Sequence, residues 1–238
     1  MNPFLETSNP SDLPLLSPHI HHIPLTARFF QPQSDLTLRT GHLPHWRQPN
    51  RTYFVTFCLH DALPKVAIQR LQRERQILRA SRDATPLQDD KRIHQELDGM
   101  LMEKWYHRGA GACVLKDSRY RRIVRDALCF FHGERYDLHA WVLMPNHVHV
   151  LWTMRGGWDV GKVVGGLKSF TGRRMNALGG RRGAVWQRES FDHLVRNGRG
   201  FRKFKGYVVG NPVGLGVGEF GVGVERGGGG KRLEAFPT

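Results

Sequence analysis

The sequence predicts an α+β domain in which helices pack on an antiparallel β-sheet. Residues 53–59 form a β-branched and aromatic run that ends before Asp61, which is typical of a buried strand. Residues 136–143 and 147–153 predict two more strands, and the proline and asparagine between them favour a turn, so the two should form a hairpin. Helical periodicity before and after the hairpin completes the order β, α, α, β, β, α, α, which favours this class.

Helical segments are predicted between the first strand and the hairpin. Residues 65–80 and 88–108 have helical spacing, with a break near Pro86. Asp117 stands where an N-cap residue would, ahead of apolar residues spaced for one face of a helix that ends at Gly133. These apolar residues are Ile123, Val124, Ala127, Leu128 and Phe131. We expect this helix to pack on the core.

The elements after the hairpin are a long helix, a short segment and a final helix. The long helix runs from about Val160 to Ala177, and a turn rich in glycine and arginine follows it. The short segment spans Trp186–Val195, and the last helix runs from about Arg199 to Val209.

Composition divides the chain into three parts. Residues 1–40 belong to a proline-rich region, since eight of the 13 prolines lie within the first 50 residues, and we expect a disordered arm there. Residues 41–213 form the folded domain. Residues 214–238 are a glycine-rich C-terminal tail with too few side chains to pack independently.

The charge balance favours a polyanionic partner. The 238 residues contain 36 Lys+Arg and 21 Asp+Glu, a formal net charge of +15, with 39% hydrophobic residues. Such a charge attracts nucleic acid through counterion release. Since the chain has neither an apolar run of about 18 residues nor signal-peptide features, we expect a cytoplasmic, nucleoid-associated protein with no membrane partner. Its three scattered cysteines predict neither a disulfide framework nor a cysteine zinc site.

The excess charge is concentrated after the hairpin. Between Arg155 and Gly210 there are 13 Lys+Arg and three acidic residues, with aromatic residues interleaved among them. This pattern is typical of a surface that follows phosphates and stacks on unpaired bases, although a solvated basic face over core aromatics is the alternative. The candidate DNA-binding residues are Lys168, Arg173, Arg174, Trp186, Gln187, Arg188, Arg196 and Lys203.

Two histidines share one face of the second hairpin strand. The period-two alternation of a strand places His147 and His149 side by side, opposite the face of Val148 and Val150. Imidazoles in this position could ligate one metal ion. Histidines that are only hydrogen-bonded are the alternative interpretation of this spacing.

The last helix contains a tyrosine and, four residues later, an asparagine. The i,i+4 spacing of Tyr207 and Asn211 puts both side chains on one helix face. A tyrosine in this position can also be a packing residue.

Four blocks of sequence occur together and in order. They are Met144-Pro145-Asn146-His147-Val148-His149-Val150-Leu151, Leu167-Lys168-Ser169-Phe170-Thr171, Trp186-Gln187-Arg188-Glu189-Ser190-Phe191-Asp192-His193, and Tyr207 through Asn211-Pro212-Val213. Together they resemble the REP-associated single-tyrosine transposases of the HUH nuclease superfamily. The resemblance extends from near His42 to about Pro212, some 170 residues.

The resemblance implies a specific fold and chemistry. The fold would be a ferredoxin-like antiparallel sheet with packed helices, of the HUH endonuclease and transposase type, and Tyr207 would be the catalytic nucleophile. His147, His149 and Asn211 would bind Mg2+ or Mn2+. The substrate would be single-stranded or hairpin DNA, cleaved through a 5′-phosphotyrosine and rejoined at the same site.

Two other functions stay open at this point. Gly206 and Gly210 flank the tyrosine, and each interior glycine costs a helix about 1 kcal/mol relative to alanine, so the chain could be a catalytically decayed nucleic-acid-binding protein. A metal-dependent nuclease in which water attacks the phosphate is the other. The oligomeric state stays open between a monomer and a homodimer.

Overall fold

A computed structural model describes residues 21–40, 44–62, 109–211, 222–224 and 234–235. The helices predicted over residues 65–80 and 88–108 lie outside this part of the chain. The described strands, in chain order, are β1 (Thr37–Thr40), β2 (Pro44–Arg47), β3 (Thr52–Cys58), β4 (Tyr136–Leu143), β5 (His147–Met154), β6 (Phe191–Leu194), β7 (Val222–Val224) and β8 (Glu234–Ala235). The described α-helices are α1 (Ser118–Phe130), α2 (Val160–Gly179) and α3 (Gly198–Gly210).

The main sheet is antiparallel and has the spatial order β6-β3-β5-β4-β7-β8, whereas β1 and β2 form a separate hairpin. Four strands of the main sheet, β3 to β6, therefore stand in the order fourth, first, third and second. With α1 connecting toward β4 and α2 connecting β5 to β6, this is the split β-α-β-β-α-β arrangement of ferredoxin-like folds. The predicted antiparallel α+β class is confirmed.

Helices cover both faces of the sheet. On the first face, α1 and α2 contribute Leu128 and Val164 to a core that includes Val150 and Trp152 of β5. On the second face, α3 packs Phe201 and other apolar side chains against Phe54, Val142 and Leu151. Every residue of β3, β4 and β5 is buried because both faces are covered.

The local signals in the sequence locate the element boundaries closely. The carboxylate of Asp117 accepts a hydrogen bond from the Arg119 amide at 2.8 Å and caps α1, as predicted. Helix α1 ends at Phe130, three residues before the predicted end, and Gly133 reverses the chain with φ of 82°. The hairpin turn joins β4 to β5 where proline and asparagine predicted it.

The structure differs from the predicted disordered arm over residues 21–40. The Phe30 amide donates to the Val195 carbonyl at 3.0 Å, and β1 pairs with β2. Apolar side chains within the arm, such as Ile23 and Phe29, pack on the second face. Proline prevented a central strand here but not an extended segment bound to the sheet. Residues 1–20 of the arm lie outside the described part of the chain.

The predicted glycine-rich tail is described only at β7 and β8. These short strands extend the sheet beyond β4, with Val142 opposite Val222 and Gly223 opposite Ala235. Backbone hydrogen bonds place both segments without a core of their own. Among the described helices, none combines the length and apolar character that a membrane span requires.

The two faces of α1 should differ sharply in their tolerance of truncation. Leu128→Ala removes a fully buried side chain, so we expect it to lower the free energy of unfolding by about 2–5 kcal/mol. Phe130→Ala, on the 75% exposed side chain of Phe130, should change that free energy by less than about 1 kcal/mol. Urea denaturation of both variants measures the difference. Equal losses would contradict the packing of α1 described above.

Candidate active site

The histidine pair lies on the second face of the sheet, beneath α3. His147 is the first residue of β5, opposite Cys58, and His149 is opposite Thr56 of β3. Both side chains are buried, with exposures of 1% and 3%. The Nε2 atoms of the two imidazoles lie 3.1 Å apart, so they converge on one point. The predicted side-by-side arrangement on a strand face is confirmed by this geometry.

Asn146 fixes the orientation of His147. Its amide Nδ2 donates to the Ala110 carbonyl at 3.0 Å, so the amide Oδ1 faces the Nδ1 atom of His147 at 2.8 Å. Because Oδ1 can only accept, Nδ1 of His147 carries the proton of that bond. A neutral His147 therefore presents the lone pair of Nε2 toward His149.

Thr56 holds the second imidazole from the neighbouring strand. The Thr56 hydroxyl lies 2.7 Å from Nδ1 of His149. A hydroxyl can donate or accept, so either neutral tautomer of His149 keeps this bond. This pair of supporting contacts, one from the turn and one from β3, is the arrangement that orients histidine ligands in metal sites.

Tyr207 reaches the pair from α3. Its hydroxyl lies 3.4 Å from Nε2 of His149, and the two ring centroids are 5.1 Å apart. The ring of Phe54 stacks on His149 and meets Tyr207 edge-on, with centroid distances of 5.4 and 6.0 Å. Helix α3 continues through Gly206 to Gly210, so the flanking glycines do not interrupt the turn that carries Tyr207.

Asn211 lies one helical turn beyond Tyr207, at the C-cap of α3. In the described part of the chain, both polar atoms of its side-chain amide are buried without a hydrogen-bond partner. A buried amide normally finds partners, so this one is suited to a ligand. Imidazole nitrogens and amide oxygens are donor types that suit a divalent ion. Among the described residues, no group of three or more histidine, cysteine or acidic side chains could hold a metal ion.

Two predicted DNA-binding residues have structural positions instead. Trp186 is only 6% exposed, and its indole nitrogen donates to the Thr171 hydroxyl at 2.9 Å, so it cannot stack on a base without leaving the core. The Lys168 ammonium donates to the carbonyls of Gln187, Arg188 and Glu189. Burial lowers the pKa of Lys168. Lys168 thus holds the segment after α2 in place.

The segment that Lys168 holds runs beside the histidine end of the sheet. The Gln187 amide donates to the Cys58 carbonyl at 2.9 Å, and Cys58 stands opposite His147. Arg188, a predicted DNA-binding residue, is exposed there. Gln187 is half-buried, and its side-chain nitrogen has no hydrogen-bond partner in the described structure.

Other predicted cations occupy two regions. Arg173 and Arg174 are exposed in the C-terminal half of α2, near Trp186, and the Arg174 guanidinium lies 5.7 Å from the centre of the Phe170 ring. Arg196 and Lys203 are exposed near the start of α3, at the opposite end of β6 from Phe191. The structure therefore does not gather all eight predicted residues on one surface.

Several functional candidates were not predicted from the sequence. Thr56 and Asn146 gain their positions from strand pairing and from the hairpin turn, which residue type alone does not reveal. Arg181 and Arg182 are exposed in the turn between α2 and the segment held by Lys168. Their place in an arginine-rich turn was a usable signal. A charged side chain that is fully buried, Lys205, had no sequence signal at all.

His193 of β6 is separated from the histidine pair by aromatic rings. Its ring lies 5.1 Å from Phe204, which stacks on Phe54 at 4.5 Å. Burial, with the positive charge of Arg196, lowers the pKa of His193 to about 4. His193 is therefore a neutral packing group at pH 7.

Comparisons with known proteins agree with the sequence motifs. Residues 114–205 match the family model described as "Transposase IS200 like". The match includes His147 and His149 and ends two residues before Tyr207. A REP-associated tyrosine transposase of Escherichia coli (strain K12) is 28% identical over 93 residues, covering 39% of this chain and 54% of that protein. The chain thus spans about half the length of this curated relative.

A solved structure of a REP-associated tyrosine transposase bound to a REP hairpin is also similar. The similarity covers 71% of this chain and 70% of the other, with 20% identity and a TM-score of 0.37. The family model and the curated relative confirm the resemblance to REP-associated tyrosine transposases that the four motifs predicted.

The low pKa of His193 predicts an acid-sensitive contribution to stability. The folded value of about 4 lies below the ordinary value of 6.5, so protonation favours the unfolded state. This contribution is complete above pH 6.5 and is lost as the pH falls toward 4. Between pH 7 and pH 5 we expect the wild-type protein to lose about 2 kcal/mol more unfolding free energy than His193→Gln. Urea denaturation at both pH values tests this, and equal losses would refute the role of His193.

Proposed function

We propose that this protein is a metal-dependent transposase-like enzyme that cleaves and rejoins single-stranded DNA beside a hairpin. Tyr207 is the nucleophile and forms a 5′-phosphotyrosine. The observation that carries the proposal is the 3.4 Å contact between the Tyr207 hydroxyl and Nε2 of His149, in a pair whose Nε2 atoms converge. Tyr207 and His149 are 58 positions apart in the chain, one on a helix and the other on a strand, and the fold brings them together.

The reaction balances with groups that the chain and the DNA supply. The Tyr207 oxygen forms a bond to phosphorus and loses its proton, while the bond from phosphorus to the 3′ oxygen breaks. That 3′ oxygen takes up a proton and leaves as a hydroxyl. Because the phosphotyrosine keeps the energy of a phosphodiester, a 3′ hydroxyl can attack it in the reverse sense and rejoin the strands.

His147, His149 and Asn211 would hold Mg2+ or Mn2+. When bound, such an ion neutralises charge on the scissile phosphate and polarises its oxygens. The chain contributes the orientation of the ligands. Asn146 and Thr56 hold the imidazoles from behind, so both Nε2 atoms stay directed at the same point.

Exposed arginines at the histidine end of the sheet would bind the DNA backbone. Arg188 lies in the segment that runs beside Cys58 and therefore beside His147, and Arg181 and Arg182 are exposed in the turn that precedes this segment. Guanidinium groups suit phosphate recognition because of their geometry. Phe170, which is 46% exposed on α2 beside Arg174, offers an aromatic surface for an unpaired base.

The E. coli relative is named a REP-associated tyrosine transposase, and its similarity supports extending that substrate class to this chain. The aligned region contains roughly half of that protein, so the hairpin substrate and the complete activity are parts of the proposal. The intact helix through Gly206 favours an active enzyme over a decayed binding protein.

The Tyr207→Phe variant tests the nucleophile because it removes one oxygen and keeps the ring that packs on Phe54. With Mn2+ and a panel of single-stranded hairpin DNAs, the wild-type protein should form an adduct that survives denaturation. We expect Tyr207→Phe to reduce adduct formation by at least about 10³-fold with unchanged DNA affinity. A chelator should stop the wild-type reaction.

Each other outcome points to a specific alternative. Salt-sensitive binding by both proteins without any adduct would support a non-catalytic nucleic-acid-binding protein. Strand cleavage with multiple turnover by Tyr207→Phe would support attack by water. Tyr136→Phe is a matched control, since the hydroxyl of Tyr136 donates to the Leu128 carbonyl on the other face of the sheet.

The exposed arginines Arg181, Arg182 and Arg188 should account for part of the salt dependence of DNA binding. Arg182→Gln should lower the slope of log affinity against log salt concentration by about 1, as expected for one lost phosphate contact. Lys162→Gln is the control because Lys162 is exposed near the other end of α2. Fluorescence anisotropy with a labelled hairpin measures both slopes. Equal slopes for the two variants would show that the bound DNA does not contact Arg182.

A further inference from the structure

We propose that residues 22–30 act as a strap that positions α3, and that Lys205 is a positioning residue for Tyr207. The strap is defined as residues 22–30, which run from the second face of the sheet to its edge. The proposal rests on the proposed function for its catalytic consequence. The contacts that support it come from the side chains of α3 and from the backbone of the strap.

Lys205 is fully buried although exposed cations lie just before it on the same helix. Its exposure is 0%, whereas Arg202 and Lys203 face solvent. The Lys205 ammonium lies 3.3 Å from the His22 carbonyl and donates to it. Burying a lysine is unfavourable unless its charge is paired and hydrogen-bonded, so a buried lysine here implies a defined contact under the strap.

The start of α3 is closely covered by the same strap. A Cβ atom at Gly198 would come within 2.7 Å of Ile23 Cδ1, so glycine allows the strap to lie directly on the helix. One turn further along, Phe29 meets Phe201 edge-on with ring centroids 6.2 Å apart. The strap therefore touches α3 near its first residue, at its first turn and two residues before Tyr207.

The strap is itself fixed to the sheet. The Thr52 amide donates to the Arg28 carbonyl at 2.7 Å, and the Arg28 amide donates to the Thr52 hydroxyl at 3.0 Å. The Phe30 amide donates to the Val195 carbonyl. Since Thr52 begins β3, the strap transmits the position of the central strands to α3.

A buried chain of polar groups continues from this anchor. The Thr52 hydroxyl, which accepts from the Arg28 amide, also forms a hydrogen bond with the Thr153 hydroxyl at 2.7 Å. The Thr153 hydroxyl lies 2.7 Å from Nε2 of His139, whose ring packs edge-on against Phe201 at 5.2 Å. Phe201 thus contacts His139 of the sheet and Phe29 of the strap.

Limited proteolysis and adduct kinetics on the full chain test the proposal together. Lys205→Met keeps most of the side chain and removes the ammonium, and Arg202→Met on the same helix is a control with the same loss of charge. We expect Lys205→Met to slow adduct formation about tenfold at saturating hairpin DNA, since small displacements of a nucleophile are costly. Its DNA affinity should stay within about twofold of the control. Trypsin should cleave after Arg28 about tenfold faster.

Ile23→Ala weakens the contact of the strap with Gly198 and leaves the sequence of α3 unchanged, and it should also slow the adduct step and speed cleavage after Arg28. If both variants match Arg202→Met in adduct rate and in cleavage, the strap does not position Tyr207. If the wild-type protein forms no adduct, the proposed function fails. In that case faster cleavage in Lys205→Met still supports the strap, and unchanged cleavage overturns it. Loss of DNA affinity with an unchanged rate at saturation would place Lys205 in binding instead.

Discussion

β3 and β5 pair over seven residue positions, from Thr52 opposite Thr153 to Cys58 opposite His147. This register decides which face of the sheet carries the imidazoles and which side chain supports each of them. A slip of one residue would turn both histidines toward α1 and α2 and would bring Val148 and Val150 under α3. Both faces are buried, so such a slip would exchange apolar and polar groups in two cores at once. The candidate chemistry thus depends on the same burial that stabilises the sheet.

The site combines parts of different stiffness. The histidines and their partners belong to central strands and to a hairpin turn, which are fixed by backbone pairing on both sides. Tyr207 belongs to a single helix on the second face, where it is held by aromatic contacts with Phe54 and by the residues beneath the strap. The two histidines are therefore held rigidly, whereas the position of Tyr207, the proposed nucleophile, depends on how well one helix is held. Because interior glycines weaken a helix, α3 depends more strongly on the contacts that hold it.

Much of the fold follows from local patterns. The buried run at β3, the turn at Pro145 and the N-cap at Asp117 predicted elements that the structure contains. The histidine pair followed from strand alternation, and Tyr207 with Asn211 followed from helical spacing. These signals act within one element, and so they can be interpreted without knowledge of the tertiary structure. Roles for the site residues remain proposals.

Other features depend on contacts between distant parts of the chain. Thr56 gains its role only because β3 lies next to β5 in one register. Trp186 and Lys168 looked like a base platform and a phosphate ligand, but packing against Thr171 and the carbonyls after α2 determines their positions. The strap contains a single proline, but it belongs to the proline-rich first 50 residues, and the composition of that region made it look disordered. Its ordered conformation depends on contacts with β3 and α3, and composition contains no information about such contacts.

The strap also affects when the site can exist during synthesis. His22 and Lys205 are separated by 183 positions, so the contact between them closes nearly the whole domain. A ribosome makes the strap long before α3, and domains fold as their segments emerge. While α3 is still inside the exit tunnel, the histidine pair can form on its sheet, but Tyr207 has no place beside it. The proposed strand cleavage would thus become available to the chain only after α3 has left the tunnel.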